Sequence, residues 1–197
     1  MITYLKGKLA LKDPTYLIVD VNGVGYEMKI SLTTYSQIKD KENILIQTYL
    51  HIKEDAHTLY GFSENSEKKR FLDLLSINGV GPSTALMVLS SLDAKELQAA
   101  IVQEDVKTIQ SVKGIGGKTA QRIILELKDK MKKEGLLDKS VQFQPRVDNT
   151  VRSEALSALT TLGIAKAIGE KTVDKILKEY GEEIKLEELI KLALKRS

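Results

Sequence analysis

The chain has 197 residues, of which 42% are hydrophobic and 29% charged, with 30 basic and 27 acidic side chains and a formal net charge of +3. That length holds one domain or two to three small ones, and so even a charge balance excludes a polybasic binder whose affinity rests on bulk attraction. The sequence has no run of about 18 apolar residues to span a membrane, no leader-like zoning in "MITYLKGKLALKD", and no cysteine for a disulfide or thiolate metal site. It has only two histidines, His51 and His57, too few for a zinc site, so the simplest expectation is an intracellular, cytoplasmic protein without metal or cofactor.

Residues 1–62 read as β. "TYLIVDV" is a β-branched and aromatic run, "NGVG" is a hairpin signal, and "GYEMKIS" alternates with Tyr26, Met28 and Ile30 on one face. "ILIQTYLHI" and "HTLYGF" continue the pattern, separated by the short charged turn "KEDA". About five short strands in this space predict a small closed or partly closed barrel.

From Ser63 the period becomes helical. "SEKKRFLDLLSI" puts Phe71, Leu74 and Leu75 on one stripe, and "DAKELQAAI" opens with Asp93 and Glu96 at capping-box spacing. After "KDKMKKEG" the apolar period fades, and residues 135–149, "GLLDKSVQFQPRVDN", have the composition of a linker. Residues 150–197 resume as three short helical patterns, a minimal three-helix bundle. The predicted class is α+β multidomain: a barrel over 1–62, an all-α domain over 63–134, a linker over 135–149 and a helical domain over 150–197.

The all-α domain repeats itself. "INGVGPSTALMVL" (77–89) and "VKGIGGKTAQRII" (112–124) align Gly79 with Gly114, Gly81 with Gly116, Thr84 with Thr119 and Ala85 with Ala120. Each copy reads as a helix end, a turn with two glycines, and the start of a second helix, in which a small alanine lets the helices approach. The second copy imitates a nucleotide-binding P-loop through Gly117, Lys118 and Thr119, but Val112 stands where the first glycine must be, and a helix precedes it instead of a strand. The upstream "LIVD" lies in the wrong part of the chain for a Walker B strand, so the ATPase reading fails.

A tandem helix-hairpin-helix remains. Its chemistry is phosphate binding without base readout: a helix N-terminus carries partial positive charge and free amides, and glycine keeps side chains out of the way. The expected DNA contacts are Gly79, Gly81, Ser83 and Thr84 in the first copy. In the second they are Lys113, Gly114, Gly116, Lys118, Thr119 and Arg122.

The β-rich start with "NGVGYE", then "KEDAHTLYGF", "NGVGPSTAL", "KGIGGKTAQRIILELKDK" and "EALSALTTLG", closely resemble the RuvA family over essentially the whole chain. These are the Holliday-junction-binding subunits of the bacterial branch-migration complex, which acts in recombination and DNA repair. The resemblance implies an OB-fold barrel and a four-fold tetramer that holds a four-way junction open, with a second tetramer able to stack on the first as an octamer. It implies that Glu54 and Asp55 form an acidic pin beside the crossover. It further implies that the C-terminal bundle engages the ATPase RuvB through a face including Leu159, Leu162 and Ile164, and that RuvC, a resolvase, is a further partner. The chain itself would then have no catalytic site.

This sequence departs from the family pattern at three places. Ser83 stands where a lysine commonly follows "GVGP", Gly117 where a basic residue is common, and Ile164 where an aromatic is usual. Two rival functions fit less well. A structure-specific nuclease needs a cluster of carboxylates, histidines or an activated serine that the sequence does not offer. A single-strand binder acting through the barrel needs more stacking aromatics than seven tyrosines, three phenylalanines and no tryptophan.

Overall fold

A computed structural model describes residues 1–38, 41–140, 150–181 and 184–196, the side chains of 135–140 and 150 excepted. The chain forms two compact units, Met1–Asp138 and Lys139–Ser197.

The first unit begins with five strands: β1 (Tyr4–Lys12), β2 (Tyr16–Val21), β3 (Val24–Ile30), β4 (Asn43–Ile52) and β5 (His57–Phe62). They close into a barrel in the order β1-β2-β3-β5-β4, antiparallel except where β3 meets β5, which is the five-stranded OB-fold arrangement. Alternation fills the interior: Leu5, Leu17, Val19, Met28, Ile30, Ile44, Ile46 and Leu59 all point into one core. The predicted β2–β3 hairpin turns on Asn22 and Gly23, both at positive φ (54° and 88°), as a two-residue turn of the right twist requires.

Helix α1 (Leu32–Ile38) follows β3 and is not legible in its own residues, which include two threonines and a tyrosine. Its cap and its neighbours make it. Ser31 Oγ accepts from the Thr34 amide at 3.0 Å, and the Thr33 hydroxyl donates to the Leu89 carbonyl at 2.6 Å.

Five helices follow: α2 (Asn65–Leu75), α3 (Pro82–Ser91), α4 (Ala94–Val102), α5 (Val106–Gln110) and α6 (Gly117–Ser140), the last ending just past this unit's boundary. The predicted capping box is present at α4, with Asp93 accepting from the Glu96 amide and Glu96 accepting from the Asp93 amide, each at 2.8 Å. Barrel and helices share a core. Phe71 on α2 sits 5.1 Å from the Tyr60 ring, 4.9 Å from Phe62 and 5.7 Å from Tyr49, ring centre to ring centre.

A buried ionic cluster ties α6 to α2. Arg70 donates to Asp73 and to Glu134, each at 2.8 Å, and Lys130 donates to Asp73 at 2.5 Å, so no charge in the cluster is left without a partner. Helix α6 runs on to Ser140, taking in the first six residues of the linker expected from 135. Leu136, Leu137 and Lys139 are good helix formers, and one glycine at 135 costs only about 1 kcal/mol against a helix already propagating. The rest of the expected linker, 141–149, lies outside the described residues.

The second unit holds α7 (Thr150–Thr161), α8 (Lys166–Tyr180) and α9 (Leu186–Arg196) around Ala155, Leu159, Val173, Ile176, Leu189 and Ala193. Arg152 binds Asp174 with two hydrogen bonds of 2.6 and 3.0 Å, fixing α7 on α8. No helix among the described residues is long and apolar enough to cross a membrane.

Candidate nucleic-acid interface

The two glycine turns are the same object built twice. In the first, Ser76 and Val80 donate backbone hydrogen bonds to Leu72 and Ile77, and Ala85 donates to Gly81. In the second, Ser111 and Ile115 donate to Lys107 and Val112, and Ala120 donates to Gly116, every bond between 2.9 and 3.1 Å. The anchoring side chains match as well. Ile77 and Val112, Val80 and Ile115, Ala85 and Ala120, and Val88 and Ile123 are all buried. The turns therefore stand on apolar pegs, with their polar backbone on the outside.

The glycines of each pair differ in their reasons. Gly79 and Gly114 have φ of 91° and 87°, a left-handed backbone that side chains resist. Gly81 is extended, with φ −86° and ψ 172°, and a β-carbon there, as at Gly116, would meet nothing within 4 Å. Among the described residues nothing asks for glycine at 81 or 116. Both directly precede the long second helices, α3 and α6, whose first amides have no earlier turn to bond to. At α3 no side chain caps the end, and Pro82 occupies the first helical position without an N–H to satisfy.

Around these turns Ser83, Lys113, Lys118 and Arg122 are exposed, and Thr84 and Thr119 half-buried. Arg122 is not idle. Its Nη1 donates to the Asn78 carbonyl in the first turn at 3.1 Å, and its Nε lies 3.9 Å from Glu126. The two turns are neighbours, since the Met87 sulfur on α3 lies 4.0 Å from the β-position of Gly114. Two helix N-termini and three exposed cations make a surface suited to anions held in a row.

Glu54 and Asp55 occupy the β4–β5 turn, closed by the Lys53 amide donating to the Ala56 carbonyl at 2.9 Å; both side chains are exposed. They belong to the same unit as the hairpins but to the barrel's hairpin tip. Among the described residues no three histidine, aspartate or glutamate side chains gather to hold a metal ion.

Family comparisons cover most of the chain. The description "RuvA N terminal domain" matches residues 1–61, "SAM-like Helix-hairpin-helix tandem" residues 71–129, and "RuvA, C-terminal domain" residues 150–197. Among similar proteins, one from Cytophaga hutchinsonii is 60% identical across all of both chains. One from Amoebophilus asiaticus is 54% identical over 99% of this chain and all of its own, and one from Christiangramia forsetii 53% identical over all of both. Each is named Holliday junction branch migration complex subunit RuvA.

The chain belongs to the RuvA family.

For the RuvA C-terminal domain the structure separates three residues expected on one partner face. Leu159 is fully buried in the α7–α9 core, where it packs against the other two helices. Leu162 is 60% exposed, and Ile164, half-buried, packs on the core's edge. Leu162 lines an open groove of about 550 Å³ between α7 and α9, with Ala158, Leu186 and Ile190 as its apolar walls. A 3.6-residue period puts Leu159 and Leu162 on one stripe, but α7 ends at Thr161, and Leu162 falls in the turn beyond it. The bond from Arg122 to a backbone carbonyl carried no signal in the sequence, because a carbonyl is present at every position.

Proposed function

We propose that this chain is a non-catalytic subunit that binds four-way junction DNA through its phosphates, whatever the sequence, and recruits a RuvB-type ATPase. The observation that carries the reading is the pair of superposable turns whose second glycines, Gly81 and Gly116, face open space ahead of a helix N-terminus. A glycine with no internal reason to be one is explained by a ligand that must come close to the backbone, and an anion is the ligand a helix N-terminus attracts. The names borne by the relatives, branch migration complex subunits, support a junction as the DNA form.

Two phosphates, one at each hairpin, would fix the register of one duplex arm without reading bases. A tetramer would present four such clamps to four arms, with Glu54 and Asp55 of each subunit near the crossover, repelling phosphates and keeping the strands apart. Leu162 and Ile164 would serve the ATPase, a weak contact strengthened by tethering.

The test is a competition gel shift of a labelled four-way junction against excess linear duplex of matched length, without nucleotide. Junction binding that survives the competitor is expected. Equal competition by duplex would reduce the protein to a general backbone binder.

A further inference from the structure

The two hairpins are alike in backbone and unlike in charge. From Phe71 to Ala94 the chain has no lysine, arginine or histidine, so the first hairpin brings no cation of its own to an anion at Gly81. The second hairpin has Lys113, Lys118 and Arg122. Arg70, just upstream, is buried and bonded to Asp73 and Glu134, and Lys130 is paired with Asp73.

We infer that Arg122 is the cation of the first hairpin, delivered to it by the helix of the second. Starting from the second turn of α6, its guanidinium reaches the Asn78 carbonyl at 3.1 Å, one residue before Gly79 and three before Gly81. A guanidinium has five N–H donors in a rigid fork, and Asn78 takes one of them. Glu126, at 3.9 Å, is beyond hydrogen-bond range, and 52% of the arginine side chain is exposed, leaving donors for a phosphate at the first turn. Arg122 is thus both a positioning residue, holding one turn at a set distance from the other, and a ligand for the site that lacks a charge. A lysine, a point charge whose contacts are not held in a fork, does not reproduce both.

The inference rests on the phosphate-binding reading above, and a double-mutant cycle separates the two. Gly81→Val and Gly116→Val each block one hairpin, in open space and without left-handed strain at Gly81. Arg122→Gln alone is expected to weaken junction binding about tenfold and to lower the salt slope by about one phosphate. In the Gly81→Val background it should cost less than about twofold more, and in the Gly116→Val background its full effect. Full additivity with Gly81→Val, or loss of additivity only with Gly116→Val, overturns the assignment. If neither glycine variant changes junction binding, the phosphate-binding reading fails and takes this inference with it. Independently of DNA, amide exchange at 77–81 should quicken in Arg122→Gln while that at 112–116 stays as it was, and Arg122→Lys should restore the salt slope without restoring that protection. Unchanged exchange at 77–81 overturns the positioning role.

Discussion

Gly79 and Gly114 hold the same left-handed backbone, φ 91° and 87°, at the same place in two turns 35 residues apart, and in each the glycine two residues on is unstrained. That difference within each pair gives opposite expectations for the same substitution. Gly79→Ala and Gly114→Ala should each destabilise the first unit by about 1–2 kcal/mol, because an L side chain is forced into the left-handed region. Gly81→Ala and Gly116→Ala should leave stability level or raise it by a few tenths of a kcal/mol, through a stiffer unfolded chain. Yet the second pair should weaken junction binding, and equally for every DNA sequence. Urea unfolding beside gel shifts on two unrelated junction sequences checks this, and a sequence-dependent loss would count against backbone recognition.

Much of this was legible beforehand. The repeat survives in sequence because both turns need the same pegs and the same left-handed residue, which restricts Ile77, Val80, Gly79 and Ala85 and their counterparts to a few types. The capping box at Asp93 and the Asn22–Gly23 hairpin are local chemistry and were readable for the same reason. What escaped was set from a distance. Helix α1 depends on Ser31, Leu89 and the buried Glu67, two of them far along the chain, and the role of Arg122 depends on where α6 happens to pass Asn78. Leu159 and Leu162 share a stripe in the sequence, and the point at which α7 ends tells them apart.

Glu67 joins barrel to helices and should make their union pH-dependent. It is 3% exposed and accepts from the Ser31 hydroxyl and, at 2.5 Å, from the Thr34 hydroxyl. Burial pushes its carboxyl above the ordinary glutamate range; the bonds from Ser31, Thr34 and the Ser63 amide pull back only in part, and Glu64 adds to the rise. The folded state therefore keeps the proton to a higher pH than the unfolded chain does. The stabilising contribution is complete below the unfolded value and is lost as pH rises through the folded one. Glu67→Gln cannot titrate, so its stability relative to the parent should climb as pH goes from about 4 to about 7. Urea midpoints of both proteins across that range measure it, and a falling difference would mean that Glu67 is ionised in the fold.

The acidic turn should be silent in stability and audible in selectivity. Glu54 and Asp55 are exposed and make no contact that closes the turn, which the Lys53 and Ala56 backbone does. Replacing them together by Gln and Asn should shift unfolding by no more than about 0.5 kcal/mol. Removing negative charge beside phosphates should hold or tighten junction binding, while the preference for junction over duplex falls. The effect should shrink as added salt screens it, since the Debye length is only about 8 Å at physiological ionic strength. Gel shifts at two salt concentrations provide the measurement; unchanged junction preference would remove the pin from the mechanism.

In the second unit, burial assigns different costs to two leucines three residues apart. Leu159→Ala opens a cavity among Ala155, Val173, Ile176 and Leu189 and should destabilise that unit by about 2–5 kcal/mol. Leu162→Ala removes a side chain that is already 60% exposed and should change stability by no more than about 0.5 kcal/mol. Stimulation of a RuvB-type ATPase should fall for both, but for separate reasons. The Leu159 loss should recover under conditions that stabilise the fold, such as lower temperature or an osmolyte. The Leu162 loss should persist, because an apolar contact with the partner is gone and no amount of folding returns it. Junction binding by the first unit should be untouched in both variants. Measuring ATPase stimulation across temperature, with junction affinity as the internal control, separates the cases. Full stimulation by Leu162→Ala would move the docking surface away from the α7–α9 groove.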